Sequence, residues 1–188
     1  MLDRRGATIL ADHESLIRFL QLGPSSRFHS WGTFVNLDPS AFVADPSLIQ
    51  ALENQAVSIP CAEDHVLFRQ GESPVGLHIL KSGKAVLTMA SSSQDEVLSL
   101  QAGAGSLLGL PGLIGNEPYS LTAVAMAGAQ ISFLTRESFT TLMGADPLLA
   151  FKVLQVLAAE VRSARSAILQ REVPHPRRGR RLTTARRA

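Results

Sequence analysis

The sequence predicts a mainly β fold, an antiparallel sandwich or jelly roll, followed by a long helix. Between about residues 60 and 135, short β-rich runs alternate with turns at Gly71, Gly83, Gly103 and Gly128. Short strands at such regular spacing are typical of antiparallel two-sheet folds. No alternation of strands with long helices occurs before residue 135, which argues against a doubly wound parallel sheet.

Local start and stop signals predict three helices. Asp45-Pro46 combines an N-cap residue with a proline at the first helical position, which is a favoured helix start. Thr135 begins a second helix that ends at Gly144. Asp146-Pro147 repeats the first signal and opens a longer helix that runs to about Arg171.

The longest predicted helix carries an apolar seam with the four-and-three spacing of a coiled coil. Glu160, Arg162 and Arg165 flank this seam in the manner of rim charges, which favours a contact between two chains. The alternative is a helix packed on its own barrel. The residues predicted to pair two copies are Leu154, Leu157, Val161, Ala164 and Ile168.

Composition limits the class of protein. The chain has 188 residues, of which 45% are hydrophobic and 18% charged, and this suits one domain with a sizeable core and appendages. The apolar runs are too short for a membrane span and the N-terminus does not resemble a secretory signal, so we expect a cytoplasmic protein without membrane contact.

The sequence predicts no metal site, no cofactor and no catalytic residues. Cys61 is the only cysteine, which excludes an internal disulfide and multi-cysteine zinc or iron–sulfur sites. It is expected to be a small buried residue at a strand edge. The five histidines stand apart, and His78 within a strand is interpreted as a hydrogen-bonded surface or core residue. The chain is therefore not expected to be an enzyme.

The basic charge is concentrated at the C-terminus. The net charge is only +2, but residues 171–188 hold seven arginines against one glutamate. Such a segment favours weak, non-specific contact with polyanions such as nucleic acid; the alternative is a solvated end that keeps the body soluble. The residues predicted for polyanion contact are Arg177, Arg178, Arg180, Arg181, Arg186 and Arg187.

The stretch from Gly105 to Ala125 predicts a ligand cradle. It reads as a glycine-rich turn, one short helical turn, a second turn and a strand, a layout that brings backbone N–H groups close to an anionic or polar ligand. No Arg or Lys occurs between Gly103 and Gly128, so the cradle lacks the charges that would normally complete a phosphate site.

The order of these motifs resembles the cyclic nucleotide-binding domain of the CRP/FNR regulator family. The similarity covers about residues 45–170: LFRQGE at 67–72, the Gly83-Lys84 turn, the glycines at 105, 109 and 112, the strand TAVA at 122–125 and the long helix. The resemblance implies a double-stranded β-helix (jelly roll) with short flanking helices. It also implies an effector bound beneath the cradle and pairing through the long helix.

Two departures from the family pattern predict that cyclic-nucleotide binding is lost. Nucleotide-binding members carry a glutamate directly after the cradle glycine, where this chain has Leu110 and then Pro111, which offers no N–H. They also carry an arginine that pairs with the phosphate, and Tyr119 stands at the matching position. The expected pocket is therefore apolar and neutral, with N–H donors at Gly109 and Gly112, and it consists of Leu108, Gly109, Leu110, Gly112, Leu113, Tyr119 and Ser120.

A third departure concerns DNA reading. Family members usually append a helix-turn-helix, whereas the 17 residues after Arg171 contain two prolines and no apolar face. We therefore expect this sequence to carry no helix-turn-helix. The predicted segments are an N-terminal extension (1–44), the jelly roll (45–145), the long helix (146–171) and a disordered basic tail (172–188).

Together these observations predict a regulatory effector-sensing protein that acts in signal transduction or transcription regulation through homodimerisation or partner contacts. The alternative is a structural or interaction protein with a vestigial pocket and an arginine-rich tail. A cupin-like metal enzyme is less favoured, because the histidines form no ligand cluster.

Overall fold

Two antiparallel sheets of four strands each form the body of the protein. The computed structural model describes residues 37–91 and 96–171. The first sheet has the strand order β1 (Val57–Pro60), β8 (Gln130–Thr135), β3 (Gly76–Ser82), β6 (Leu107–Leu108). The second has the order β2 (His65–Phe68), β7 (Thr122–Ala125), β4 (Ala85–Ala90), β5 (Glu96–Ala102). The predicted jelly roll is confirmed.

The helices lie at the two ends of this strand series and in the cradle. A 3₁₀ helix, Pro39–Phe42, comes first. The α-helices are α1 (Pro46–Glu53), α2 (Leu110–Gly115), α3 (Arg136–Ala145) and α4 (Pro147–Arg171).

The capping signals work as predicted. The Asp45 carboxylate accepts hydrogen bonds from the first turn of α1, including the Leu48 N–H at 3.1 Å. Thr135 caps α3, which ends one residue later than predicted, at Ala145. Asp146 accepts from the Leu148 N–H at 2.9 Å and so caps α4. A side-chain oxygen at the N-cap satisfies N–H groups that have no partner within the helix.

Strand β3 separates two hydrophobic cores. One core lies between β3 and the helices and contains fully buried leucines from several elements, among them Leu48, Leu77, Leu110 and Leu134. We call it the helical core. The other lies between the two sheets, includes Phe68 and Tyr119, and is called the sheet core.

Some predictions concern residues that the structure does not describe. The extension up to residue 36 and the tail from residue 172, with its arginines, lie outside the described residues, and the division into four segments stays a prediction. Within the described ranges, no single helix is long and apolar enough to cross a membrane. Only α3 together with α4 up to Leu169 is long and apolar enough, and these two helices are bent by 117° relative to each other.

Cys61 is buried just after β1, as expected, and burial raises the pKa of its thiol.

Candidate ligand-binding cavity

The glycine-rich turn between β6 and α2 has the geometry that the sequence predicts. Gly109 has a φ of 90°, in the left-handed region that favours glycine. Its carbonyl accepts a hydrogen bond from the Leu113 N–H at 3.1 Å, which starts α2. Asn116, with a φ of 54°, ends the helix, and the Glu117 N–H donates to the Gly112 carbonyl at 3.2 Å. The turn and the single short helix of the cradle are therefore both present.

The ring of Tyr119 covers two of the three cradle glycines, Gly109 and Gly112. A Cβ atom on Gly109 would lie 2.7 Å from Tyr119 Cε1, and one on Gly112 would lie 3.2 Å from Tyr119 Cδ1. The first distance is a collision, because carbon atoms pack at about 3.5–4.0 Å. The packing of this ring therefore accounts for glycine at position 109 without any ligand.

Four contacts hold Tyr119 in this place. The ring stacks on Phe68 with centroids 4.0 Å apart, and its hydroxyl donates to the Gly76 carbonyl at 2.9 Å. The Tyr119 N–H donates to the Glu72 carbonyl at 2.9 Å, and the Tyr119 carbonyl accepts from the Gly71 N–H at 2.8 Å. Burial raises the pKa of the phenol, so it remains a neutral donor. The ring is a fixed wall of the site.

A cavity of about 400 Å³ lies beside this wall. Besides Tyr119, the polar side chains that line it are Ser120 and Glu160, and no Lys, Arg or His of the described residues takes part. The apolar side chains come from both sheets, the 3₁₀ helix, α2, α4 and the segments beside them: Leu37, Phe42, Phe68, Leu87, Met89, Leu98, Leu107, Leu108, Pro111, Leu121, Ala164 and Ile168. The lining is that of a site for an uncharged, mainly apolar molecule.

The structure brings together five of the seven predicted pocket residues. Leu110 and Leu113 do not line the cavity; both are buried in the helical core. Three positions apart on α2, they share one face of that helix, and this face packs away from the cavity. The predicted N–H donors at Gly109 and Gly112 stay a prediction. The five that line the cavity are Leu108, Gly109, Gly112, Tyr119 and Ser120.

Glu160 differs from its sequence-based interpretation as a rim charge. It lines the cavity, and its Oε1 atom is buried without a hydrogen-bond partner. Burial raises the pKa of its carboxyl to about 8. The signal that could have located Glu160 is a second seam on α4, which packs against the body of the protein. It has the same four-and-three spacing and lies one position before the predicted seam. Its residues are Leu149, Val153, Val156, Glu160, Ser163 and Ala167.

With this geometry established, the comparisons with known proteins identify the domain. The family model described as the cyclic nucleotide-binding domain matches residues 58–146. Residues 58–146 are therefore similar to domains of this family. The match spans the strands from β1 to β8, the cradle and α3, and it confirms the resemblance drawn from the sequence motifs. No curated protein matches the chain significantly.

Several solved structures share the fold. The catabolite activator protein of Thermus thermophilus is 24% identical with a TM-score of 0.59, and the alignment covers 71% of this chain and 62% of that one. Oxidised CprK in complex with o-chlorophenolacetic acid is 18% identical with a TM-score of 0.57, covering 69% of this chain and 54% of that one. The sensor domain of the regulator DNR from Pseudomonas aeruginosa is 18% identical with a TM-score of 0.50, covering 70% of this chain and 85% of that one. The chain thus spans about three fifths of the length of the first of these relatives.

The predicted seam of α4, which follows the matched residues, lies in three different environments. Leu157 is half-buried against the helical core. Leu154, Val161 and Ile168 are exposed by 55%, 47% and 55% of their surface. Ala164 and Ile168 also line the cavity. One face of α4 therefore borders both the cavity and solvent, and the predicted pairing of two copies through it stays a prediction.

His78 is a core residue of the domain, as one of the two interpretations had it. Its ring lies between Phe68 and Phe133, at centroid distances of 5.6 and 4.9 Å, and its Nδ1 atom has no hydrogen-bond partner. Burial, and then the charge of His65, lower its pKa to about 4. Across the described ranges, no group of three or more His, Cys, Asp or Glu residues is placed to hold a metal ion.

Proposed function

We propose that this chain is an effector-sensing regulatory protein whose cavity takes a neutral, mainly apolar ligand in place of a cyclic nucleotide. The observation that carries the proposal is the Tyr119 ring, which occupies the space over the cradle glycines and faces an apolar cavity. The ligand state would be passed on through α4 to a second copy of the chain, in signal transduction or transcription regulation.

Electrostatics argues against a cyclic phosphate. An anion that leaves water needs a cation or several donors in the site, because burying an unpaired charge is costly. The described cavity lining supplies no cation, and its one titratable carboxyl, Glu160, would repel an anion once ionised. A neutral ligand needs no cation and is not repelled by ionised Glu160.

The size and lining of the cavity support an apolar ligand. Its volume of about 400 Å³ falls within the ordinary range of small-molecule sites, about 300–1,000 Å³. The structure of CprK in complex with o-chlorophenolacetic acid indicates that this fold can be associated with an aromatic ligand that is not a nucleotide. A neutral aromatic ligand would contact the leucine and phenylalanine side chains of both sheets.

The position of α4 supports the proposed readout. Ala164 and Ile168 border the cavity, while Leu154 and Val161 continue the same seam into solvent. A ligand that moves this segment of α4 would change the surface offered to a second copy. A ligand shifts such an equilibrium only by its difference in affinity for the two arrangements, so the contact with α4 is where that difference would arise.

The test is the thermal unfolding midpoint of the whole chain with 3′,5′-cyclic AMP, 3′,5′-cyclic GMP, 2-oxoglutarate, palmitate, haem or 2-isopropylnaphthalene. We expect the neutral naphthalene to raise the midpoint, since a ligand at 100 times its Kd adds about 2.7 kcal/mol, and the cyclic nucleotides to leave it unchanged. Sedimentation velocity of the same samples reports the pairing of copies.

Tyr119→Arg, with Tyr119→Phe as its matched control, tests the assignment of the cradle. A response to cyclic nucleotides in Tyr119→Arg alone would show that the frame is intact and that this residue sets its specificity. Stabilisation of the unmodified protein by a cyclic nucleotide would contradict the proposal. No shift with any compound would favour an interaction protein with an unused pocket.

A further inference from the structure

Glu160 places a titratable carboxyl in a cavity whose lining is otherwise mostly apolar. Its Oε1 atom is fully buried and makes no hydrogen bond. The strands β4 and β5 contribute only apolar side chains to the same cavity: Leu87, Met89 and Leu98. A buried polar atom that lacks a partner costs about 1–3 kcal/mol. For folding alone, an apolar residue at this position of α4 would be better.

No charged group in the described part of the chain compensates this carboxyl. The side chains that face it across the cavity, from both sheets, the 3₁₀ helix and the cradle, carry no charge. On α4 itself, Arg162 lines a separate cleft with Asp38 and Ser163, and Arg165 is exposed. Burial is the one cause that raises the pKa of Glu160 to about 8, so at neutral pH the carboxyl is mostly uncharged and carries a proton that it can donate.

We propose that Glu160 is the polar anchor of the cavity, and that its uncharged carboxyl donates a hydrogen bond to an acceptor on a neutral, mainly apolar ligand, such as the oxygen of an aromatic ketone. This inference rests on the proposed function and adds the chemical group by which the ligand is recognised. The O–H group of Glu160 donates, the ligand oxygen accepts, and the buried Oε1 atom is then part of a satisfied pair. The apolar walls hold the rest of the molecule.

Neutral acceptors fit this site better than ions do. An anion would find no cation in the described lining, and an ion pair with a cation would have to desolvate both charges in an apolar cavity. A ligand with one neutral acceptor makes one hydrogen bond to Glu160, and the rest of its buried surface is apolar. Binding should therefore require protonated Glu160 and should weaken when that carboxyl ionises.

The experiment uses four naphthalenes that differ in one substituent: 2-acetylnaphthalene (neutral acceptor), 2-isopropylnaphthalene (no acceptor), 2-naphthoate (anion) and 2-naphthylmethylammonium (cation). Their dissociation constants are measured by isothermal titration calorimetry on the full chain at pH 6.5 and pH 9. We expect the ketone to bind up to about tenfold more weakly at pH 9. Tenfold is the loss at that pH if only the protonated form of a carboxyl with a pKa of about 8 binds the ketone. The hydrocarbon should bind equally at both pH values.

Two variants of Glu160 and one control separate recognition from folding. Glu160→Gln keeps a donor without a titration, so its ketone binding should be independent of pH. Glu160→Leu removes the donor, and the ratio of ketone to hydrocarbon affinity should fall about three- to tenfold, the worth of one neutral hydrogen bond. Glu137→Gln, on the exposed side of α3, should behave like the unmodified protein.

The outcomes distinguish this inference from the proposed function. If the hydrocarbon binds while ketone binding responds neither to pH nor to Glu160→Leu, the anchor is refuted and the apolar sensor stands. Tightest binding of the ammonium compound at pH 9 would also overturn the anchor, in favour of a site for cations. If none of the four compounds binds the unmodified protein, the inference and the proposed function both fail.

Discussion

Strand β3 has a different kind of core on each of its two sides. On the helical side, Leu77 and Ile79 belong to a core that contains fully buried leucines from α1 and α2. On the sheet side, the surrounding strands border a cavity of about 400 Å³ whose wall includes a carboxyl without a partner. The helical core serves stability, whereas the sheet core leaves a polar atom unsatisfied and a volume unfilled, and features of that kind are expected where a protein binds something.

The neighbouring residues Leu108 and Leu110 show how sharply the two regions divide. Leu108 belongs to the sheet core and lines the cavity, whereas Leu110, two positions later, is completely buried in the helical core. Gly109 makes the turn between them. A substitution at either position therefore probes a different side of the domain.

The largest expected effect is a loss of stability in the helical core. Leu110→Ala should lower the free energy of unfolding by about 2–5 kcal/mol, because it removes a packed side chain and leaves a cavity. Leu98→Ala, in the cavity wall, should cost less than half of that, because part of the Leu98 side chain borders open volume. Urea unfolding of both variants measures the difference, and equal losses would show that the two cores are equally well packed.

The next effect is a dependence of stability on pH through His78. Its pKa is about 4 in the folded protein against 6.5 for the free side chain, so between these values the unfolded chain binds the proton and the folded chain does not. The free energy of unfolding should therefore fall as the pH drops from 6.5 to 4, by about 3 kcal/mol in total.

His78→Leu should remove this dependence, because leucine suits the position between Phe68 and Phe133 and does not titrate. Glu160 acts in the opposite direction: its raised pKa makes stability fall as the pH rises from 4.5 to about 8. The His78 comparison is therefore made in the Glu160→Gln background. Identical pH profiles with and without His78 would contradict the prediction.

The smallest effect concerns the wall between the two regions. Tyr119→Phe keeps the ring over Gly109 but removes the donor to the Gly76 carbonyl, so it should lower the free energy of unfolding by about 1–2 kcal/mol. The affinity for a neutral naphthalene should stay unchanged, because the hydroxyl bonds to Gly76 and the ring still forms the wall. A large loss of affinity would mean that the hydroxyl itself contacts the ligand.

Sequence reasoning predicted most of the fold and part of the site. The cradle turn at Gly109, the caps at Asp45, Thr135 and Asp146 and the two antiparallel sheets were all foreseeable. The orientation of Leu110 was not, because residues on a six-residue helix can face either core and the choice depends on how that helix docks.

The sequence by itself determined the features that act over a few residues: N-caps, a glycine at a positive φ and the period of strands and helices. Tertiary structure alone decided which of two adjacent seams on α4 meets the body. The seams differ by one residue, a rotation of about 100° on a helix, and both have apolar spacing. Only the packing of α4 against the 3₁₀ helix, α3 and α1 placed Glu160 in the cavity and left Leu154 and Val161 in solvent.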